Sequence, residues 1–372
     1  MNDELDFNQI EAMYEDESTS IPYDDSFEIV PPQIIQEARA NPPFLQRTLQ
    51  TIEEVNEYAY NRGSMGLDTG ISFLNSAFNG LNPGLTLVAG PANSGKSALL
   101  LDMMRRVIKF NQVVTKDKPK KAYCIYFSLD DTNNELMPRL VASSQELPIN
   151  EVLFPNNIQD KPEVLAKRDK GFEELRSNAK FFSMYDANNG QSIQKIEEKL
   201  ELIYNELETI FPGEYQMVIF IDNFHDIEYE TESGFMEDNQ RFDYISSRLN
   251  HIATLYDSPV VCSAEFRKVD SLKRASLSDI KSTGKITYEA KAIILVHNEV
   301  GVKGESSDVY WELGSRYEGV VKDRKMPVLE MNIAKNKFGS KKGREVLKFI
   351  PEFAYFSEFT ENERLSIIQK IK

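Results

Sequence analysis

Cysteine is nearly absent from this chain, with two residues in 372, Cys124 and Cys262, each inside an apolar β-like run. Two cysteines cannot build a disulfide framework or a four-cysteine zinc site, so both read as buried thiols. No apolar run approaches the ~18 residues that a membrane span needs, which excludes a helical membrane protein. The histidines His225, His251 and His297 are scattered, lack metal-ligand spacing and read as structural. Basic residues are missing from the first 38 positions, which hold eleven Asp and Glu, and Arg39 is the first cation. The opening residues have neither a basic start nor an apolar stretch, so no secretory signal is expected. The cytoplasm is the default compartment, a host's cytoplasm if the chain is viral.

A net charge of −16 argues at first sight against nucleic acid, but its distribution matters more than its sum. Without the acidic start, the remaining 334 residues carry 43 basic against 48 acidic side chains and are nearly neutral. Residues 1–45, with DELDF, YEDES, YDDSF and two proline pairs, read as a mostly disordered arm. The arm serves either as a solubilising tail or as a docking peptide anchored by Phe27, Ile29 and Val30. The length sets a prior of two domains plus appendages, and 41% hydrophobic with 27% charged residues suits a globular core.

Leu49, Ile52, Val55 and Tyr58 fall at three-residue steps, which predicts an amphipathic helix within 46–64. The body, 65–357, alternates β-like runs (Ala122–Ser128, Phe181–Met184, Met217–Ile221, Pro259–Ser263, Lys291–Val296, Pro327–Ala334) with helical patterns. The clearest of these helices has Ile193, Ile196, Leu200, Ile203, Leu207 and Ile210 on one stripe. Near-continuous apolar strands between helices imply an α/β fold whose mostly parallel, twisted sheet is covered by helices on both faces. Residues 358–372 are helical in pattern.

Gly90-Pro91-Ala92-Asn93-Ser94-Gly95-Lys96-Ser97 matches the phosphate-loop pattern G-x-x-x-x-G-K-S/T in full, with an apolar strand before it and a helical pattern from Ala98 onward. Glycines let backbone N–H groups curl around a phosphate, and the helix N-terminus adds its positive dipole end. Lys96 is placed to reach the β- and γ-phosphates of ATP, and the Ser97 hydroxyl to ligate Mg2+. The strand MVIFID ends in Asp222, where a carboxylate holds Mg2+ directly or through water. YCIYFSLDD ends in Asp130 and Asp131. Asp130 is the candidate for orienting the attacking water, and the alternative is that the two acids cap the helix starting near Thr132.

These segments together resemble the RecA-like motor domain of DnaB-type replicative DNA helicases. The ordered series is DTGISFLNSAFNGLNPG, YFSLDD with MPRLVAS, VIFIDNFHDI, FDYISSRLNHIATLYDSPVVCSAE, SLSDIKSTGKITYEAKAIILVHNE, EMNIAKNKFGSKKG and FIPEFAYF, spanning about 66–356. The resemblance implies a RecA-like phosphate-loop ATPase core and a hexameric ring, phage-like in lacking a helical N-terminal collar, with ATP and Mg2+ bound between subunits. It also implies that helix 46–64 docks on the neighbouring subunit and that a primase or helicase loader is a partner. The neighbour's cations match Lys335 and Lys337, the second usually an arginine. Asp130 stands for a glutamate, and Glu265 for a glutamine that senses the γ-phosphate. Weaker charge stabilisation by lysine and a second carboxylate near the phosphates imply slow or altered hydrolysis.

In such rings, channel loops hold single-stranded DNA by its phosphates. Phe266–Lys285 carries Arg267, Lys268, Lys273, Arg274, Lys281 and Lys285 against Asp270 and Asp279. Arg267, Lys268, Lys273, Arg274 and Lys281 are the DNA-contact candidates, although a charge run is also what a solvated face looks like. The acidic segment Glu228–Asp238 has the wrong sign for that task, and the basic turn Lys116–Lys121 reads as solvent-facing. Three functions are thus expected, in this order: an ATP-dependent DNA helicase or translocase, a RecA-like recombinase or mediator, and a low-turnover nucleotide-binding assembly subunit.

Overall fold

The computed structural model describes residues 42–61, 63, 65–189, 191–230, 237–267, 274, 276–281, 284–313 and 324–371. Lys268 and Lys273, most of the acidic arm and part of Glu228–Asp238 lie outside them. The chain forms two units, 1–60 and 61–372. The described part of the first is Pro42 and all but the last residue of α1 (Pro43–Asn61), which begins three residues before the predicted stretch 46–64 and ends three before its close. Its stripe of Leu49, Ile52, Val55 and Tyr58 is exposed.

The second unit begins with α2 (Ser72–Phe78), β1 (Gly84–Gly90), α3 (Lys96–Phe110), β2 (Lys121–Ser128), α4 (Asn133–Gln145), α5 (Ile149–Leu153), α6 (Pro162–Asn178) and β3 (Phe182–Tyr185). It continues with α7 (Ile193–Ile210), β4 (Tyr215–Asp222), α8 (Asp238–Leu255), β5 (Pro259–Glu265), α9 (Lys285–Glu289) and β6 (Ala292–His297). Last come α10 (Glu299–Lys303), β7 (Tyr310–Glu312), β8 (Lys325–Asn336), β9 (Gly343–Ile350), β10 (Tyr355–Glu358) and α11 (Glu361–Lys370).

One sheet runs in the order β10-β9-β8-β6-β1-β5-β4-β2-β3, and β7 pairs with the start of β8. The six strands from β6 to β3 are parallel, while β8, β9 and β10 return antiparallel at one side. Successive side chains on the central strands enter opposite layers, because a strand alternates its faces residue by residue. In β4, Val218 and Phe220 join the layer of α2, α3 and α4. Met217, Ile219 and Ile221 join the layer of α7 and α8. Both layers are apolar, so these strands read as unbroken hydrophobic runs rather than alternating ones. Each fully buried Ile, Leu or Phe contributes roughly 1.5–3 kcal/mol.

The α7 stripe is buried at Ile193, Ile196, Leu200 and Ile203 and then runs out, with Ile210 64% exposed in the last turn. Cys124 and Cys262 are buried free thiols, and burial drives both thiol pKa values upward. No helix among the described residues is long and apolar enough to cross a membrane.

Candidate functional site

At the carboxyl end of β1 the chain turns through 91–95 into α3. Asn93 and Gly95 adopt left-handed φ values of 59° and 96°, and Gly95 caps the helix. Glycine is required at 95 by that angle and at 90 by packing, since a Cβ on Gly90 would lie 2.6 Å from Val296 Cγ2. Lys96 Nζ folds back to donate to the carbonyls of Gly90 (3.0 Å) and Pro91 (2.8 Å). Burial pushes its ammonium pKa down, and Glu265 and Asp222 oppose that shift. Ser94 is 2% exposed and its hydroxyl has no hydrogen-bond partner. A buried orphan hydroxyl, positive-φ turns and a folded-back lysine form a cradle of donors that fits a polyanion.

Asp222 stands at the end of β4, two strands from β1, and is 8% exposed. Its carboxylate accepts from Tyr126 Oη on β2 (3.3 Å) and from Ser263 Oγ on β5. Both donors are neutral, so neither cancels the carboxylate's charge beside Lys96. Among the described residues, no group of three or more His, Cys, Asp and Glu could hold a metal ion. Mg2+ suits such a place, because it is commonly bound through one or two carboxylates plus substrate phosphates.

Around Asp222 lie three further acids. Asp226 is desolvated and repelled by Glu265, Asp130 and Asp222, in that order, which raises its carboxyl pKa above the ordinary value. Its side chain also accepts from Asn223 Nδ2. Asp130 is exposed and takes no part in capping α4. Thr132 with Glu135 forms that cap, Asp186 accepts the Asn133 N–H (3.0 Å), and Asp131 pairs with Arg139 (2.6 Å). The alternative in which both acids cap the helix is therefore not what is observed.

Lys335 and Lys337 lie elsewhere. Because β8 runs antiparallel to β6, Asn336 is opposite Ala292, at the amino end of the parallel strands. Lys337 N–H donates to Lys291 O, and Lys291 N–H to Leu85 O, five residues before Gly90. At about 3.3 Å per residue, ~17 Å of strand separates these cations from the loop at Gly90–Ser97. Lys335 Nζ donates to the carbonyls of Thr287 (2.7 Å) and Tyr288 (2.8 Å) at the end of α9. Burial and Lys337 push its pKa down. Lys337 is exposed, over the ring of Tyr288 (5.7 Å).

The basic segment leaves β5 and returns beside it. Phe266 and Ile280 form an antiparallel bridge, Arg267 N–H donates to Asp279 O (2.8 Å), and Lys281 N–H donates to Glu265 O (2.9 Å). Arg267 and Lys281 are exposed. Arg274 is instead engaged by Glu330 (2.7 and 2.8 Å) and Glu299 (3.2 Å), two buried carboxylates. At the acidic segment, Glu230 accepts from Ser192 Oγ (2.6 Å) at the start of α7. In the basic turn, Lys118 pairs with Asp68 (3.6 Å) and Lys121 with Glu214 (3.1 Å).

Sequence reasoning passed over Tyr126, Ser263 and Asp226. The spacing Asp222-x-x-x-Asp226 was the available signal for the last. Nothing local marks Tyr126 and Ser263, because strand pairing alone brings them to Asp222.

Several known proteins resemble this chain. Replicative DNA helicase DnaB of Leifsonia xyli subsp. xyli is 24% identical over 270 residues, which are 71% of this chain and 54% of that protein. The chain thus spans about half the length of this curated relative. A solved ATPase domain matches with a TM-score of 0.66 at 19% identity, over 85% of this chain and 99% of that one. A structure of a DnaB-like replicative helicase and its interactions with primase matches with a TM-score of 0.65 at 19% identity, over 88% and 74% of the two chains. The expected RecA-like α/β fold is thereby shown. The model of the DnaB-like helicase C-terminal domain matches residues 66–358, and the chain belongs to that family.

Proposed function

We propose that this chain is an ATP-driven replicative DNA helicase that moves on single-stranded DNA as a ring, in a phage-like setting, and hydrolyses ATP between adjacent copies. The observation that carries the reading is the distance between Lys337 and the Gly90–Ser97 loop. The phosphate loop and the cations that the resemblance assigns to a neighbour lie at opposite ends of the sheet of one chain. A head-to-tail contact repeated around a closed ring, six copies in the family's usual form, would bring the amino-end cations of one copy to the phosphate loop of the next.

Within that site, Gly90, Asn93, Ser94, Gly95 and Ala98 shape the loop and the start of its helix, and Lys96 binds the phosphates. Ser97 and Asp222 would hold Mg2+, which when bound neutralises charge on the phosphates. Asp130 orients water. Glu265 lies close enough to Lys96 to act on its charge, and that pairing is how its carboxylate is tolerated near a triphosphate. Lys335 and Lys337 of the next copy stabilise charge on the transferring phosphoryl group. Arg267, Lys268, Lys273 and Lys281 contact DNA phosphates, and Arg274, taken up by Glu330 and Glu299, anchors their segment. α1 docks on a neighbouring copy, and a primase or helicase loader, met in the cytoplasm, is the further partner.

The test is phosphate release with and without single-stranded DNA, alongside fork unwinding. Wild type should be stimulated by DNA and should unwind, while Lys96→Ala should do neither. Equal phosphate release by the two would favour the low-turnover assembly subunit. Strand exchange without unwinding would favour the recombinase.

A further inference from the structure

His225, three residues beyond Asp222, is 6% exposed and meets Phe224 and Phe242 edge-on. Its two ring nitrogens have different partners. Nδ1 accepts the backbone N–H of Glu265 (3.2 Å), and Nε2 contacts the backbone carbonyl of Lys281. An amide N–H can only donate and a carbonyl can only accept, so the ring is neutral with its proton on Nε2. Desolvation pushes the imidazole pKa down, which favours the same neutral form.

Glu265 and Lys281 are the two feet of the basic segment, joined to each other by the Lys281 N–H and Glu265 carbonyl. One rigid ring therefore bonds to both feet at once. The ring itself is tied to the turn after Asp222. Asn223 Oδ1 accepts the His225 N–H (2.8 Å), while Arg241 donates to the carbonyls of His225 (3.2 Å) and Ile227 (2.6 Å). Glu265 lies within electrostatic range of Lys96.

We propose that His225 is the positioning residue that couples the nucleotide site to the DNA-facing segment, by holding Glu265 and Lys281 in fixed register with the turn that follows Asp222. This rests on the reading above that the segment contacts DNA. A shift of that turn or of Glu265 when the phosphates change then moves both feet together, because neither foot can move without breaking a bond to the ring.

Two variants separate the bonds from the bulk. His225→Phe keeps a ring and removes both nitrogens, whereas His225→Gln loses the ring but keeps one acceptor and one donor. In the full chain, His225→Phe should lower the DNA-stimulated kcat about tenfold, within the range of ordinary coupling. Its KM for ATP and its DNA-free rate should change far less. His225→Gln should keep most of the stimulation. Wild-type stimulation in His225→Phe would overturn the proposal, and so would loss of stimulation in a folded His225→Gln. If His225→Phe fails to fold, His225→Gln alone decides.

Hydrogen exchange at the Glu265 and Lys281 amides separates this idea from the functional reading. Nucleotide should change their protection in wild type and not in His225→Phe, even if DNA stimulates neither. An unchanged nucleotide response in His225→Phe would sink the coupling while leaving the helicase reading intact.

Discussion

Buried charge at single residues carries consequences that can be measured. Glu330 is 2% exposed, and Arg274 supplies it with a two-pronged guanidinium contact. Removing one partner of a fully buried pair costs roughly 3–5 kcal/mol, and the cost is smaller here because the Arg274 side chain is only half-buried. Arg274→Met should therefore lower the thermal midpoint by several degrees, and Arg274→Met with Glu330→Gln should recover part of the loss. A midpoint unmoved by Arg274→Met would show that the pair is dispensable. Acid acts at a second pair of buried groups. Burial pushes both His225 and His297 below the ordinary histidine value of 6.5. At His225 the hydrogen bond to the Lys281 carbonyl and the Glu265 charge oppose that shift, and the Lys281 and Arg241 charges add to it, while at His297 Glu330 and Glu299 oppose it and Arg274 and Lys303 reinforce it. The unfolded chain then binds more protons than the folded one below about 6.5, so stability is complete above that pH and falls as pH drops through the folded values. Urea midpoints at pH 7.5 and 5.5 should show this decline, and His225→Gln should reduce it.

Elements were legible wherever one apolar period ran unbroken. The stripe from Ile193 to Ile210 predicted α7 over its observed span, although its last residue proved exposed. The six β-like runs all became strands, with ends moved by at most two residues. By contrast, α6 was not anticipated: its one fully buried residue is Gly171, and its packing face of Val164, Phe172 and Leu175 is only half-buried and interrupted by the charged run Lys167–Lys170. The alternative reading, in which Asp130 and Asp131 cap α4, named the wrong residues for that cap. Thr132 and Glu135 satisfy each other's backbone in a reciprocal cap, which leaves Asp130 outside. Thr132→Ala should cost about 1 kcal/mol. An unchanged denaturant midpoint would mean that Glu135 alone suffices.

For the whole molecule, the separation of Lys337 from the phosphate loop is the governing feature. A site completed by a second copy predicts dominance in mixtures. Lys337→Ala should bind nucleotide normally and turn over slowly, and added to wild type it should depress the rate by more than its share, since each altered copy also disables its neighbour's site. A rate that falls only in proportion to the wild-type fraction would point to cations acting within one chain. Mass measured with nucleotide and single-stranded DNA should show an assembly larger than one chain.

The chemistry that depends on neighbouring residues was written in the sequence: a strand, a glycine turn, a lysine and a hydroxyl within eight positions, then a carboxylate closing an apolar run. Local backbone geometry and side-chain type suffice for such a motif. The partners of Asp222, Arg274 and His225, and the distance of Lys337 from the Gly90–Ser97 loop, were decided only by the tertiary structure. Each depends on which strands pair and in which direction, and on β8 returning antiparallel beside β6, contacts that hydrophobic period along a single chain does not encode.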